Sequence, residues 1–156
     1  MSSIWQEYQA TGFEPIDVEH LQVSGGLVRL LEAVNSGQLA EAVGALESVF
    51  GQVASHFAHE EQLMGESGYA LAARHKEAHD LFLLDASRFL LELRRSGLSD
   101  SFRRWATGRA LEWFRFHIAV NDVGLGRHLL AWDRAGRGAG GATGTAASEA
   151  AEPDAR

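Results

Sequence analysis

Between Pro15 and Pro153, the only prolines in the chain, apolar residues recur at intervals of three and four. That is the spacing of amphipathic helices, and no stretch alternates as a half-buried strand would. A first helix is expected from about Val18 to Val34, with Asp17 as N-cap and Asn35, Ser36 and Gly37 as the stop. Its inward face carries His20, Val23, Leu27, Leu30 and Val34. A second, from about Gln38 to Met64, carries Leu46, Val49, Val53, His56, Glu60 and Leu63, and "GESGY" ends it. A third, from about Ala70 to Arg95, has the seam His75, His79, Phe82, Ala86, Phe89, Leu93. After "RRSG" a fourth starts at Ser99 or Asp100 and runs to about Trp132, burying Phe102, Trp105, Trp113, either Phe116 or His117, and Leu129. Long helices joined by short turns predict an all-α fold, an antiparallel up-down-up-down four-helix bundle over residues 1–134 that includes an N-terminal arm. Residues 135–156 are Gly/Ala-rich and are expected to be a disordered tail.

Polar residues interrupt these seams in a regular way. His56 with Glu60, and His75 with His79, are i, i+4 pairs, so each pair projects from one helix face one turn apart. His20 and His117 fall on the inner faces of the other two helices. A lone core histidine is more often a hydrogen-bonded core residue than a ligand. Several imidazoles around a buried carboxylate are different, because each unpaired buried charge costs several kcal/mol unless a cation sits among them. A metal site in the bundle core follows. At least five imidazoles with one or two carboxylates exceed what a single four-coordinate zinc needs. Such ligands suit iron, manganese or copper, and carboxylates can bridge two ions. The second carboxylate is Asp122, five residues after His117. Five residues of regular helix turn about 500°, leaving the two side chains about 140° apart. A widened turn or π-bulge between them is therefore predicted.

Composition narrows the setting. With 156 residues, 46% of them hydrophobic, one domain with a sizeable core is expected. The absence of cysteine excludes disulfides, zinc knuckles, iron–sulfur clusters and covalent c-type haem. The N-terminal sequence has no signal-peptide pattern and no apolar run is long enough for a membrane span, so a soluble cytoplasmic protein is expected. A formal charge of −7 with scattered basic residues argues against nucleic acid. "HEEQL" lacks the second histidine of HExxH, no Glu stands three residues before a His, and GxSxG and P-loop patterns are missing.

The pieces "GFEPIDVEH", "HFAHEEQLM", "GYALAARHKEAH" and "WFRFHIAVND", with Trp5 ahead of them, resemble the bacteriohemerythrins, bacterial relatives of the hemerythrin oxygen carriers. The resemblance spans roughly Ile4 to Leu130 and fills all seven ligand positions. It implies that His75, His79 and His117 hold one iron, that His20 and His56 hold the other, and that Glu60 and Asp122 bridge the two with an oxo or hydroxo group. It implies further that dioxygen binds reversibly at an open position on the second iron, for storage, transport or sensing rather than catalysis. The alternative is a peroxidase, oxidase or nitric-oxide-reducing enzyme on the same centre; a role in interaction, with the tail engaging a partner, ranks last. Several positions depart from the family pattern. "SGG" at Ser24 to Gly26 reads as loose or close helix packing, or as a passage to the iron. Phe114 reads as core or as an apolar lid, and Ala70 replaces a proline. His59 and His128 match no ligand position and read as exposed residues or as neighbours standing behind the ligands; His59 and Glu61 are expected to fall outside the site itself, and Met64 and Trp113 read as packing around it.

Overall fold

The computed structural model describes residues 10–140, and all of its regular structure is helical. Helix α1 spans Glu14–Asn35, α2 spans Leu39–Ser67 and α3 spans Ala72–Ser96. The fourth, α4, covers residues 100–140 and contains two π-turns, Trp105–Arg109 and Ile118–Asp122. Together they form the antiparallel four-helix bundle. No helix among the described residues is long and apolar enough to cross a membrane. The predicted N-terminal arm, Trp5 included, lies outside the described residues, as does most of the predicted tail.

Helix ends differ from expectation for local reasons. Pro15 sits in the first turn of α1, where its missing N–H and fixed φ are favourable, so the helix starts at Glu14 rather than Val18. Phe13 is the N-cap, not Asp17. The Asp17 carboxylate instead accepts from Thr11 N (2.7 Å), Thr11 Oγ1 (2.8 Å) and Gly12 N (3.1 Å), folding the preceding turn against the helix. Helix α2 passes through Gly65 and stops only where Gly68 takes a left-handed φ of 67°, open to glycine without a Cβ penalty. Ser99 caps α4, its Oγ accepting from Phe102 N at 3.1 Å. The C-terminal part of α4 runs to Gly140, into the stretch expected to be disordered.

The apolar core is in two parts. The larger joins Val23, Leu27 and Leu30 of α1 to Val49, Val53 and Phe57 of α2, Phe82 of α3, and Phe114 and Ile118 of α4. The smaller holds Ile16, Met64, Leu125 and Leu129. On every helix the polar seam residues fall between them or at their edge. Met64, rather than the half-buried Leu63, closes the α2 seam; His117, not the exposed Phe116, is the buried member of its pair on α4.

Helices α1 and α2 approach closely at Gly26. A Cβ there would lie 2.5 Å from Gln52 Oε1 and 2.9 Å from Val49 Cγ2. Gly26→Ala is expected to destabilise the protein by about 1–2 kcal/mol, because overpacking outweighs the helix-propensity gain. Gly44→Ala, on an exposed face with nothing within 4 Å, should stabilise by up to about 1 kcal/mol. Urea denaturation of both variants measures the difference, and equal effects would contradict the close approach.

Candidate metal centre

Each helix delivers polar side chains to one level of the bundle: His20 from α1, His56 and Glu60 from α2, His75 and His79 from α3, His117 and Asp122 from α4. All seven are at most 2% exposed. On α4 this depends on the π-turn over Ile118–Asp122, in which Val123 N–H reaches the Ile118 carbonyl. The turn absorbs the angular mismatch of a five-residue spacing and sets Asp122 Oδ1 3.1 Å from His117 Nε2.

The donor atoms form two overlapping sets. Glu60, His75, His79, His117 and Asp122 converge in one; His20, His56, Glu60 and Asp122 converge in the other, each within 4.8 Å. The two carboxylates belong to both. Asp122 Oδ2 meets His20 Nε2 at 3.0 Å while its Oδ1 lies 3.0 Å from His75 Nε2. Glu60 Oε1 lies 3.6 Å from His56 Nε2, and Oε2 lies 3.1 Å from His79 Nε2 and 3.4 Å from His75 Nε2.

Behind the imidazoles stand groups that fix their orientation. Glu19 joins His56 Nδ1 (2.9 Å) to His59 Nδ1 (2.8 Å), Glu61 Oε1 lies 3.1 Å from His79 Nδ1, and the Asn121 amide lies 3.1 Å from His117 Nδ1. Glu61 therefore does not face away from the cluster but meets the outer nitrogen of His79, while the part-exposed His59 reaches the cluster only through Glu19. Glu19 and Asn121 were missed, although each is next in sequence to His20 or Asp122. His128 lies apart, with Nε2 3.1 Å from the Ser67 carbonyl and hydroxyl.

Aromatic rings wall the cluster. Phe57 stacks on His79 at 3.8 Å and Trp113 on His117 at 4.6 Å, while Phe114 lies edge-on to His20 with ring centres 5.7 Å apart. The Ser24 hydroxyl donates to the His20 carbonyl at 2.7 Å.

A family model, the hemerythrin HHE cation binding domain, matches residues 11–128. A bacteriohemerythrin of Stenotrophomonas maltophilia is 31% identical over 120 residues, covering 76% of each chain. One from Pseudomonas aeruginosa is 28% identical over 122 residues, covering 78% of this chain and 77% of its own. The chain belongs to the hemerythrin family. A hemerythrin of Themiste dyscrita is 37% identical over 79 residues, 51% of this chain and 64% of its own. No solved structure matches the chain significantly.

The hemerythrin site has the chemistry of a cation-binding cavity. Both Glu60 oxygens, Asp122 Oδ1, His56 Nε2 and His75 Nδ1 are buried without a well-aligned hydrogen bond among the described residues, although imidazole nitrogens crowd the carboxylates at 3.0–3.6 Å. His117 Nε2 faces the Nε2 atoms of both His75 and His79 at 3.1 Å, an arrangement of lone pairs that needs a proton or a cation between them. Nitrogen and oxygen donors without thiolate suit iron or manganese. Burial and the neighbouring Asp122 push Glu60 up, but the imidazoles of His75, His79 and His56 outweigh them and hold it at about 2. Asp122, pushed up by burial, is held well below the usual carboxylate range by His117, His20 and His75. Burial opposes protonation of His75, yet Asp122 and Glu60 raise it to about 9; burial keeps His117 below its ordinary value.

These shifts fix the pH dependence of the metal-free protein. His75, at about 9 folded against 6.5 ordinarily, stabilises fully below pH 6.5 and loses that contribution as pH rises through 9. Glu60, at about 2 against 4.5, contributes above pH 4.5 and loses it as pH falls towards 2. Calorimetry of the metal-free chain should find its highest Tm between those limits, with a fall of several degrees from pH 6.5 to 9. A Tm that rises over that interval would contradict the assignment.

Proposed function

We propose that the chain binds dioxygen reversibly at a pair of iron ions held by the seven buried residues, and that it serves oxygen storage, transport or sensing in the cytoplasm. The observation that carries this reading is the inequality of the donor sets: three imidazoles and both carboxylates on one side, two imidazoles and both carboxylates on the other. His75, His79 and His117 would hold one ion, His20 and His56 the other, with Glu60 and Asp122 bridging and an oxo or hydroxo group completing the pair. Bound there, iron would supply reversible dioxygen binding on the side of the smaller donor set, His20 and His56.

The surrounding residues act on that site. Phe114 presents an apolar edge to His20 and stands 6.3 Å from His56, excluding water on the side with fewer donors. Glu19 holds His56 through Nδ1, so that Nε2 keeps its lone pair directed inward, and Glu61 does the same for His79. A catalytic alternative would gain from an access path at Ser24 to Gly26, but the Gly26 side of α1 is filled by Gln52 and Val49.

Iron-loaded protein, reduced without air, should take on a stable colour on exposure to air and lose it under argon, with about two irons per chain. Immediate oxidation to a ferric form, or one iron per chain, would contradict the proposal. His56→Ala should abolish the oxygenated spectrum and lower iron content. Glu19→Ala should weaken iron binding by about ten- to a hundredfold while leaving the fold intact, as read by chelator competition and circular dichroism.

A further inference from the structure

The outer edges of the buried imidazoles are not all held alike. Carboxylates of the chain itself, Glu19 and Glu61, meet Nδ1 of His56 and His79 at 2.9 and 3.1 Å, and the Asn121 amide meets Nδ1 of His117. His75 differs. Its Nε2 is turned inward, 3.0 Å from Asp122 Oδ1 and 3.1 Å from His117 Nε2, but its Nδ1 is buried without a hydrogen bond among the described residues. The residue as a whole is 2% exposed.

With Nε2 inward, the outer edge of His75 is the part left to line a cavity of about 110 Å³ between the start of α3 and the second π-turn of α4. Tyr69 and Leu71 wall it ahead of α3, Arg74 stands exposed at its rim, and Val120 and Asn121 close it from α4. Among the described residues that line it there is no carboxylate. The first turn of α3 has no acidic residue either, and Leu71 gives that helix no side-chain cap. The positive end of a 25-residue helix is therefore uncompensated at the same place. An imidazole that directs Nε2 to a cation carries its proton on Nδ1, so His75 presents a buried N–H in need of an acceptor. The cavity has room for about three waters, or for a carboxylate of one or two carbons.

We propose, on the reading that His75 holds a cation, that this cavity binds a small free carboxylate of the size of formate or acetate, which accepts a hydrogen bond from His75 Nδ1–H. The ligand supplies from solution what Glu19 and Glu61 supply to His56 and His79 from within the chain. The helix end and the Arg74 guanidinium favour an anion over water or a neutral acceptor. The cluster itself twice pairs an imidazole of this kind with a carboxylate.

Titrated into the iron-loaded full chain by calorimetry at constant ionic strength, acetate should bind with a dissociation constant of about 1 mM, and its neutral analogue acetamide at least about tenfold more weakly. A carboxylate on Nδ1–H makes the imidazole a stronger ligand, so saturating acetate should slow the loss of iron to a chelator by about tenfold. Leu71→Glu, which puts a carboxylate on the cavity wall one turn before His75, should abolish acetate binding and retain iron without acetate as well as the wild type does with it. Leu81→Glu, the same change of charge at a position 66% exposed further along α3, should leave acetate binding as it is. No saturable binding up to about 20 mM, equal binding of acetate and acetamide, or acetate binding that survives Leu71→Glu would overturn the proposal. A full complement of iron with no acetate effect would overturn it alone, whereas a chain that takes up no iron would overturn the metal reading on which it stands.

Discussion

Two carboxylates and five imidazoles share the centre of this bundle without enough protons or hydrogen bonds to satisfy them, and the rest of the structure is arranged around that constraint. Glu60 and Asp122 are fully buried, and several of the facing atoms have no well-aligned hydrogen bond among the described residues. In an apolar core such an arrangement is costly unless positive charge lies within it. Cations placed there would satisfy both carboxylates and all five rings at once, at the level where the apolar packing stops before resuming on either side.

The constraint reaches into the backbone. A regular α4 could not turn both His117 and Asp122 inward, and the helix yields by opening a π-turn between them. It also reaches outward, because an imidazole that directs Nε2 to a cation needs something to hold Nδ1. Glu19, Glu61 and Asn121 provide this from three different helices, and Glu19 is itself shared with His59. Partial burial pushes Glu19 up, but its two histidine partners keep it below the ordinary carboxylate value, and so ionised when the rings present N–H to it.

Much of this was legible in the sequence because helical periodicity is rigid. The pairs His56 with Glu60 and His75 with His79 announce one face and one turn, and the five-residue step from His117 to Asp122 announces the π-turn that is found. Family resemblance supplied the proposed division of the seven residues between two ions. The parts that could not be read depend on tertiary neighbours. Nothing in the spacing of Glu19, Glu61 or Asn121 distinguishes a residue that meets the outer nitrogen of a buried imidazole from one facing water. The start of α1 at Glu14 turned on Pro15 being favourable in a first turn, whereas Asp17 drew the N-cap assignment because its type suits one. The π-turn at Trp105 is not demanded by any pair of polar residues and so left no periodic signal.

The central claim is that two cations, not one and not a proton network, complete this core. The most direct measurement is anomalous diffraction at the iron edge from crystals of the iron-loaded chain. The account predicts two peaks, one among His75, His79 and His117 and one between His20 and His56, with Glu60 and Asp122 reaching both. A single peak, or peaks away from these seven residues, would contradict it.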